Sequence, residues 1–228
     1  MKKNFLFPSG LIIAFAMLFI SWSEDTPKYE AIDLGLPSGI KWASFNVGAT
    51  KPEEYGGYYA WGETEEKEDY CWETYKWCNG SENTMTKYCT NSPYGTVDNK
   101  TVLDPEDDVA HVKWGGDWRM PTTEEQEELR NECTWEWTAL NGVNGYRVTG
   151  PNGNSIFLPA AGGREDTDIE DRGDDCYYWS SSLYSDDDAN ACYLCFYDSN
   201  DGSIILDSEH GWVCFDRCCG LSVRPVSK

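Results

Sequence analysis

The sequence predicts an α+β fold made of short, twisted antiparallel strands with one or two helices and long loops. Three observations carry that expectation. Only one stretch has a complete helix-start signature, the segment after Pro121. Many short segments alternate apolar with polar residues between turns rich in Gly, Asp and Asn. Aromatic residues make up 14% of the chain, with 11 Trp and 14 Tyr, although the mean hydropathy is −0.60. That aromatic load excludes a disordered chain and points to a loop-rich fold built on aromatic packing.

The N-terminus has the order of a secretory signal peptide. Lys2 and Lys3 precede the apolar run Leu11 to Ile20, and Ser21-Trp22-Ser23 supplies a small-x-small cleavage site. Pro8-Ser9-Gly10 leaves about ten clean apolar residues where a membrane span needs roughly twenty. The boundaries expected are therefore a signal peptide over 1–23, a short segment over 24–30 and one domain over 31–228. Phe19-Ile20-Ser21-Trp22 resembles a bacterial lipoprotein box with Trp22 at the place of the lipidated cysteine. Trp has no thiol to alkylate, so the protein is expected secreted, periplasmic or at the cell surface without a lipid anchor.

After cleavage the chain keeps 205 of its 228 residues, enough to bury about 70% of its extended-chain surface around one core. It carries 40 acidic against 18 basic residues, and loss of Lys2 and Lys3 takes the net charge from −22 to −24. Such a surface repels nucleic acid and anionic membranes and keeps an exported protein soluble.

Along the domain, Ala31 to Leu34 and Lys41 to Phe45 alternate as strands around the Leu36-Pro37-Ser38-Gly39 turn, and Gly57 to Gly62 reads as the third strand of a β-meander. Residues 63–106 lack periodicity and read as long surface loops. Asp107 to Trp114 is a short-helix candidate carrying His111. Thr122 is placed to cap a helix over Glu124 to Cys133, with Glu125 as its capping-box partner and acids in the first turn to suit the helix dipole. Strands follow at Gly145–Thr149, Ser155–Pro159, Tyr177–Ser181, Ala191–Tyr197, Ser203–Leu206 and Leu221–Val226.

Asp33-Leu34-Gly35-Leu36-Pro37-Ser38-Gly39 with Lys41-Trp42-Ala43, then Gly57-Tyr58-Tyr59-Ala60-Trp61-Gly62-Glu63, form one ordered set of motifs. Trp118-Arg119-Met120-Pro121-Thr122, Leu158-Pro159-Ala160-Ala161-Gly162, Tyr178-Trp179-Ser180-Ser181 and Ser222-Val223-Arg224-Pro225-Val226 complete it. From about residue 31 to the end, this set resembles the Fibrobacter succinogenes major paralogous domain family. The resemblance implies an exported bacterial protein with a C-type-lectin-like fold, related to the formylglycine-generating-enzyme branch. Physically, Pro121 suits the end of an extended segment at a helix start, and Trp118 and Trp179 suit a core. Arg119 and Arg224 are too costly to bury unpaired and need carboxylates or carbonyls.

Catalytic chemistry finds little support. The formylglycine-type cysteine motif is absent, because Arg217-Cys218-Cys219-Gly220 lacks its spacing. Two histidines, His111 and His210, lie too far apart in sequence to suggest a triad or a histidine metal site. No acidic pair is singled out for glycosidase work. Cys192 and Cys195 with Cys214 and Cys218 or Cys219 approach a four-cysteine spacing, but positions three apart in a strand face opposite sides. Ten cysteines in an exported chain suggest disulfides, yet their clustering near the C-terminus leads us to expect one or two bridges at most.

The protein is therefore expected not to be an enzyme but a binding module for an extracellular protein or glycan, without a cofactor. The candidate surface comprises Tyr184, Asp186, Asp187, Asn190, Tyr197, Asp198, Asn200, Trp212, Phe215 and Arg217, residue types common in adaptable binding sites. Asp186-Asp187-Asp188 and the segment from Asp198 to Asp201 offer oxygen ligands that calcium prefers, with Asp198 and Asp201 the weak candidates, but such clusters also form ordinary turns. C-type-lectin-like domains with this style of terminal motif are targets of diversity-generating retroelements, so the resemblance also implies a diversified surface. A structural envelope domain is the alternative, and an enzyme of unknown type the third. Mass spectrometry of the exported protein is expected to find Glu24 at the N-terminus and no diacylglyceryl adduct.

Overall fold

The first strands show how the chain closes on itself. A computed structural model describes residues 29–197 and 213–228, so the expected signal peptide and the strand expected at Ser203–Leu206 lie outside the described residues. β1 (Ala31–Asp33) pairs antiparallel with β2 (Lys41–Ala43), setting Ile32 opposite Trp42. The turn between them holds Gly39 at φ 73°, a left-handed conformation that favours glycine. The third strand of this sheet is not Gly57–Gly62 but the C-terminal Val226–Ser227, whose Val226 pairs with Trp42.

Gly57–Gly62 is a correction to the meander. It runs extended, with Tyr59 bridging Leu221 through bonds of 3.0 and 3.1 Å, but joins no regular sheet. Its alternation serves another purpose. Tyr59 and Trp61 enter one hydrophobic cluster, while Tyr58 and Ala60 enter another, so both faces of the segment are buried.

The helices follow the expected signals closely. α1 (Val109–Trp114) is capped by Asp108, whose Oδ1 accepts from the amides of Ala110 and His111. α2 (Thr123–Glu132) has the full Thr122–Glu125 capping box, starting one residue before the expected range and leaving Cys133 at its C-cap. Pro121 sits immediately before the capping residue, and Ser181 donates its amide to the Pro121 carbonyl at 2.8 Å.

A meander that sequence patterning only half announced follows α2. β3 (Thr134–Leu140), unexpected because it begins directly after a helix, pairs with β4 (Val143–Thr149), which pairs with β5 (Ser155–Pro159). Two short strands, β6 (Gly163–Glu165) and β7 (Asp168–Glu170), make a hairpin. β8 (Asp175–Leu183), β9 (Asn190–Tyr197) and β10 (Val213–Asp216) make a sheet in the order β10-β9-β8. β11 (Gly220–Leu221) joins β6, and β12 (Val226–Ser227) ends the chain on β2. The result is an α+β protein of small antiparallel sheets with two α-helices among the described residues.

Three hydrophobic clusters are separated by extended chain. Cys176, Tyr178, Leu194 and Phe196 face the first cluster with Trp42 and Leu129, whereas Trp179, Ala191 and Tyr193 face the second with Trp61 and Met120. The β8–β9 ladder is thus a wall with core on both sides. The third cluster corrects the expectation for residues 63–106: Tyr70, Tyr75, Cys78, Met85 and Cys89 from that segment are buried with Cys218 and Cys219. The segment is irregular but not superficial, because carboxylates replace the missing ladders. Asp98 accepts from the amides of Tyr88 and Cys89 at 2.9 Å. Asp188 accepts from those of Thr90 and Asn91 at 2.6 and 2.7 Å.

The two motif arginines find the partners their burial cost requires. Arg119 forms a fork with Glu125, at 2.7 and 2.5 Å. Arg224, only 1% exposed, donates to Asn46 Oδ1 and to the carbonyls of Ala43 and Phe157, at 2.8, 3.0 and 2.8 Å. Burial lowers its pKa to about 10, so the group stays charged at neutral pH. Trp179 is fully buried with its indole N–H on the Tyr59 carbonyl. Trp118 is half-buried, edge-on to Trp114.

Cys71, Cys78, Cys89, Cys133, Cys176, Cys218 and Cys219 carry free thiols, so none of the one or two bridges expected forms among these seven. Replacing Arg224 with Ala leaves three buried acceptors unpaired and a cavity, and is expected to cost about 3–5 kcal/mol. The drop in urea midpoint against wild type measures it.

Candidate functional site

The side of the β8–β9–β10 sheet that faces the second cluster reaches the surface beside the β6–β7 hairpin. Tyr177, Tyr193 and Phe215 meet there, with ring centroids 5.8, 5.7 and 6.5 Å apart. Register explains the meeting: Tyr177 pairs with Cys195, and Val213 with Tyr193, so alternate residues of three strands project to one side. Tyr193 is buried behind the other two, whereas Tyr177 and Phe215 are half-buried. They line a pocket of about 270 Å³ with Gly163, Arg164, Glu165, Glu170 and Asp171.

Acid surrounds this aromatic floor. The Tyr177 hydroxyl lies 2.6 Å from Asp175 Oδ2 and 2.9 Å from Asp171 Oδ2. Burial first, then these carboxylates, push its pKa well up, which keeps it a neutral donor. Asp175 is raised by burial, with Asp171 and Asp174 adding to the effect against the hydrogen bond from Tyr177. Asp216 is raised by burial and by Glu82, Glu165 and Asp187.

Of the expected binding residues that are described, Phe215 lies in this pocket. Tyr184, Asp186, Asp187 and Asn190 gather at the β8–β9 turn. There Asp187 Oδ1 accepts from the Ala189 amide at 2.9 Å and the Asn190 amide bonds the Asp187 carbonyl at 3.0 Å. Asp188 is 2% exposed and turned onto residues 90–91, so this acidic trio acts as a turn and its anchor. Tyr197 ends β9 opposite Asp175; Asp198, Asn200, Asp201 and Trp212 lie outside the described residues, and the weak calcium candidates with them.

Arg217 is a correction. It is fully buried and cannot present a binding surface. Its guanidinium donates to the Tyr75 hydroxyl and to the carbonyls of Tyr88, Asp188 and Lys87, at 3.0, 3.0, 2.8 and 3.1 Å, with the Trp61 ring 4.9 Å away. A guanidinium so fully satisfied by backbone fixes the fold.

Two further places were not legible in sequence. A pocket of about 510 Å³ is lined by residues of α1 and of the Gly116–Met120 segment, with Asp108, His111, Arg119 and Ser181 in its lining. Asp108 there is raised by burial, although amides of Met120, His111 and Ala110 hold it as their acceptor. Asp69, Cys71 and Asp166 place ligand-type atoms within 4.8 Å of one another through the Tyr70–Asp166 bridge. Cys71 is raised by burial, which disfavours the thiolate a metal would take. The Cys192–Cys195 pair splits across β9 as strand alternation requires, Cys192 buried and Cys195 packed on the second cluster.

Fold and site together define an α+β domain with an acid-rimmed aromatic pocket. Compared with protein-family models, curated proteins and solved structures, the chain gives no match. No helix among the described residues is long and apolar enough to cross a membrane.

The raised carboxylates set a pH dependence. Asp108, Asp175 and Asp216 hold their protons to higher pH folded than unfolded, so their contribution is full below 3.8 and is lost as pH rises through their folded values. Asp98, held down by the amides of Cys89, Tyr88 and Lys100 against its burial, and Asp104, by Lys100 and Lys87, contribute above 3.8 and lose that contribution below it. Urea midpoints are expected to rise from pH 7 toward pH ~4 and fall below it.

Proposed function

We propose that this chain is an exported or surface-exposed binding module of C-type-lectin-like fold that recognises a protein or glycan partner through its C-terminal strands and loops. The observation that carries the reading is the half-open Tyr177–Phe215 floor on a three-strand sheet whose edge strand β10 runs directly into the buried Arg217. Rigid aromatics beside adaptable loops supply contact area at low entropy cost. Among the described residues, short antiparallel strands, two α-helices and long irregular segments support the family resemblance, which also supports export and a diversified surface.

An enzyme has less support. Cys218 is held as a thiol, first by its hydrogen bond with Cys219 and then by burial, the opposite of an activated nucleophile. A structural envelope domain remains the second reading, on one observation. The large hydrophobic residues exposed among those described are Val97, Val102, Val112 and Ile169, none of them aromatic.

The discriminating measurement is binding of the mature protein to arrays of glycans and of host and microbial surface proteins, with and without calcium. Calcium-independent binding, reduced by Phe215→Ala and by Tyr197→Ala or Trp212→Ala, is expected. Silence on every target would favour the structural reading, and strict calcium dependence would transfer the site to the Asp198–Asp201 segment.

A further inference from the structure

The pocket at Tyr177 and Phe215 selects by charge. Residues directly paired across an antiparallel ladder point to one side, and β6–β7 pairs Gly163 with Glu170 and Glu165 with Asp168. A Cβ on Gly163 would meet Tyr177 at 3.4 Å, so this is the side turned to the aromatic floor. Strand alternation sends Arg164 to the other side, where it lies 5.0 Å from the Tyr70 ring and donates to the carbonyls of Lys67, Glu68 and Thr167. Arg172, the other cation of this stretch, is held by the Tyr58 hydroxyl at 2.9 Å. Arg164 belongs to the pocket lining, but its guanidinium is engaged by these carbonyls and that of Arg172 by Tyr58, so among the described residues neither cation is ion-paired with the acidic wall, which lies above two ring faces.

At about 270 Å³ the pocket falls below the roughly 300–1,000 Å³ of sites for drug-sized ligands, which suits a single side chain. A hard divalent ion would find carboxylates on one side only, because the floor offers rings where it needs oxygens. A neutral sugar needs donors as well as acceptors, and the wall offers acceptors. An organic cation is matched by both parts, its charge by the carboxylates and its polarised alkyl groups by the π faces. Beside the pocket, β7 is the edge of its sheet, with β6 its one ladder partner among the described residues and all three of its residues exposed. An extended peptide can pair with that edge.

Resting on the binding-module reading, we propose that this pocket receives the lysine or arginine side chain of a basic protein segment laid along the β7 edge. The test is fluorescence anisotropy of the mature protein with a labelled Gly/Ser peptide carrying alternate lysines, against the same peptide with norleucine, and with spermidine as free-cation competitor. The lysine peptide is expected to bind and the norleucine peptide not to. Phe215→Leu, which keeps apolar volume and removes the π face, is expected to weaken binding by roughly threefold to fivefold, the size of a half-exposed cation–π contact. Glu165→Gln with Glu170→Gln should weaken it more, without lowering the urea midpoint, since like charges are removed.

Glu124→Gln with Glu132→Gln on α2 removes equal charge and should leave binding unchanged. No binding, an unaffected Phe215→Leu, or equal losses from the α2 pair would overturn the proposal, and spermidine competing as well as the unlabelled lysine peptide would overturn the peptide as the source. If lysine peptides fail while an array target is still bound, this inference alone falls; if both fail, the binding-module reading falls with it.

Discussion

The buried guanidinium groups of Arg217 and Arg224 hold the C-terminal segment, and the rest of the architecture depends on where that segment runs. Between them lie Cys218 and Cys219 in the third cluster and Leu221 and Val223 in the second, and Val226, two residues beyond Arg224, is in the first. Among the described residues, neither arginine is hydrogen-bonded to a carboxylate. Backbone carbonyls, an amide and a phenol take their donors, so strands and irregular segments far apart in sequence converge on two points. Desolvating a guanidinium is costly, and the cost is offset only in the geometry where every acceptor is present. That requirement makes the segment a specific clasp.

Three clusters instead of one follow from this threading. The extended segment 58–61 and the β8–β9 ladder each have core on both faces. Their aromatic side chains could not alternate with polar ones, and they do not. The aromatic load of the sequence is thereby accounted for chiefly by packing. Tyr177 and Phe215 stand at the edge where the second cluster opens to solvent.

The same edge concentrates unbalanced charge. Burial raises Asp175 and Asp216 while their acidic neighbours raise them further, so the folded protein holds negative charge there against an electrostatic cost. Sites that carry such a cost are natural places for a cationic partner, since binding relieves it. The surrounding net charge of −22 would steer such a partner toward the protein at long range.

Local chemistry determined by sequence alone was confined to near neighbours. The Thr122–Glu125 cap, the strands at Ser155–Pro159 and Ala191–Tyr197, the need of Arg119 and Arg224 for partners, and the α+β class all follow from patterns a few residues long. Tertiary structure decided the rest. It made residues 63–106 a core element, because carboxylates from Asp98 and Asp188 satisfy amides that no ladder reaches. It turned Arg217 from a candidate contact into a buried clasp, because its acceptors lie up to 142 residues away. It also brought Glu165 and Glu170 beside Tyr177 and Phe215, a pocket no spacing could announce, since strands from four parts of the chain build it. Hydrogen bonds and packing act through space, and only their nearest instances leave a mark along the chain.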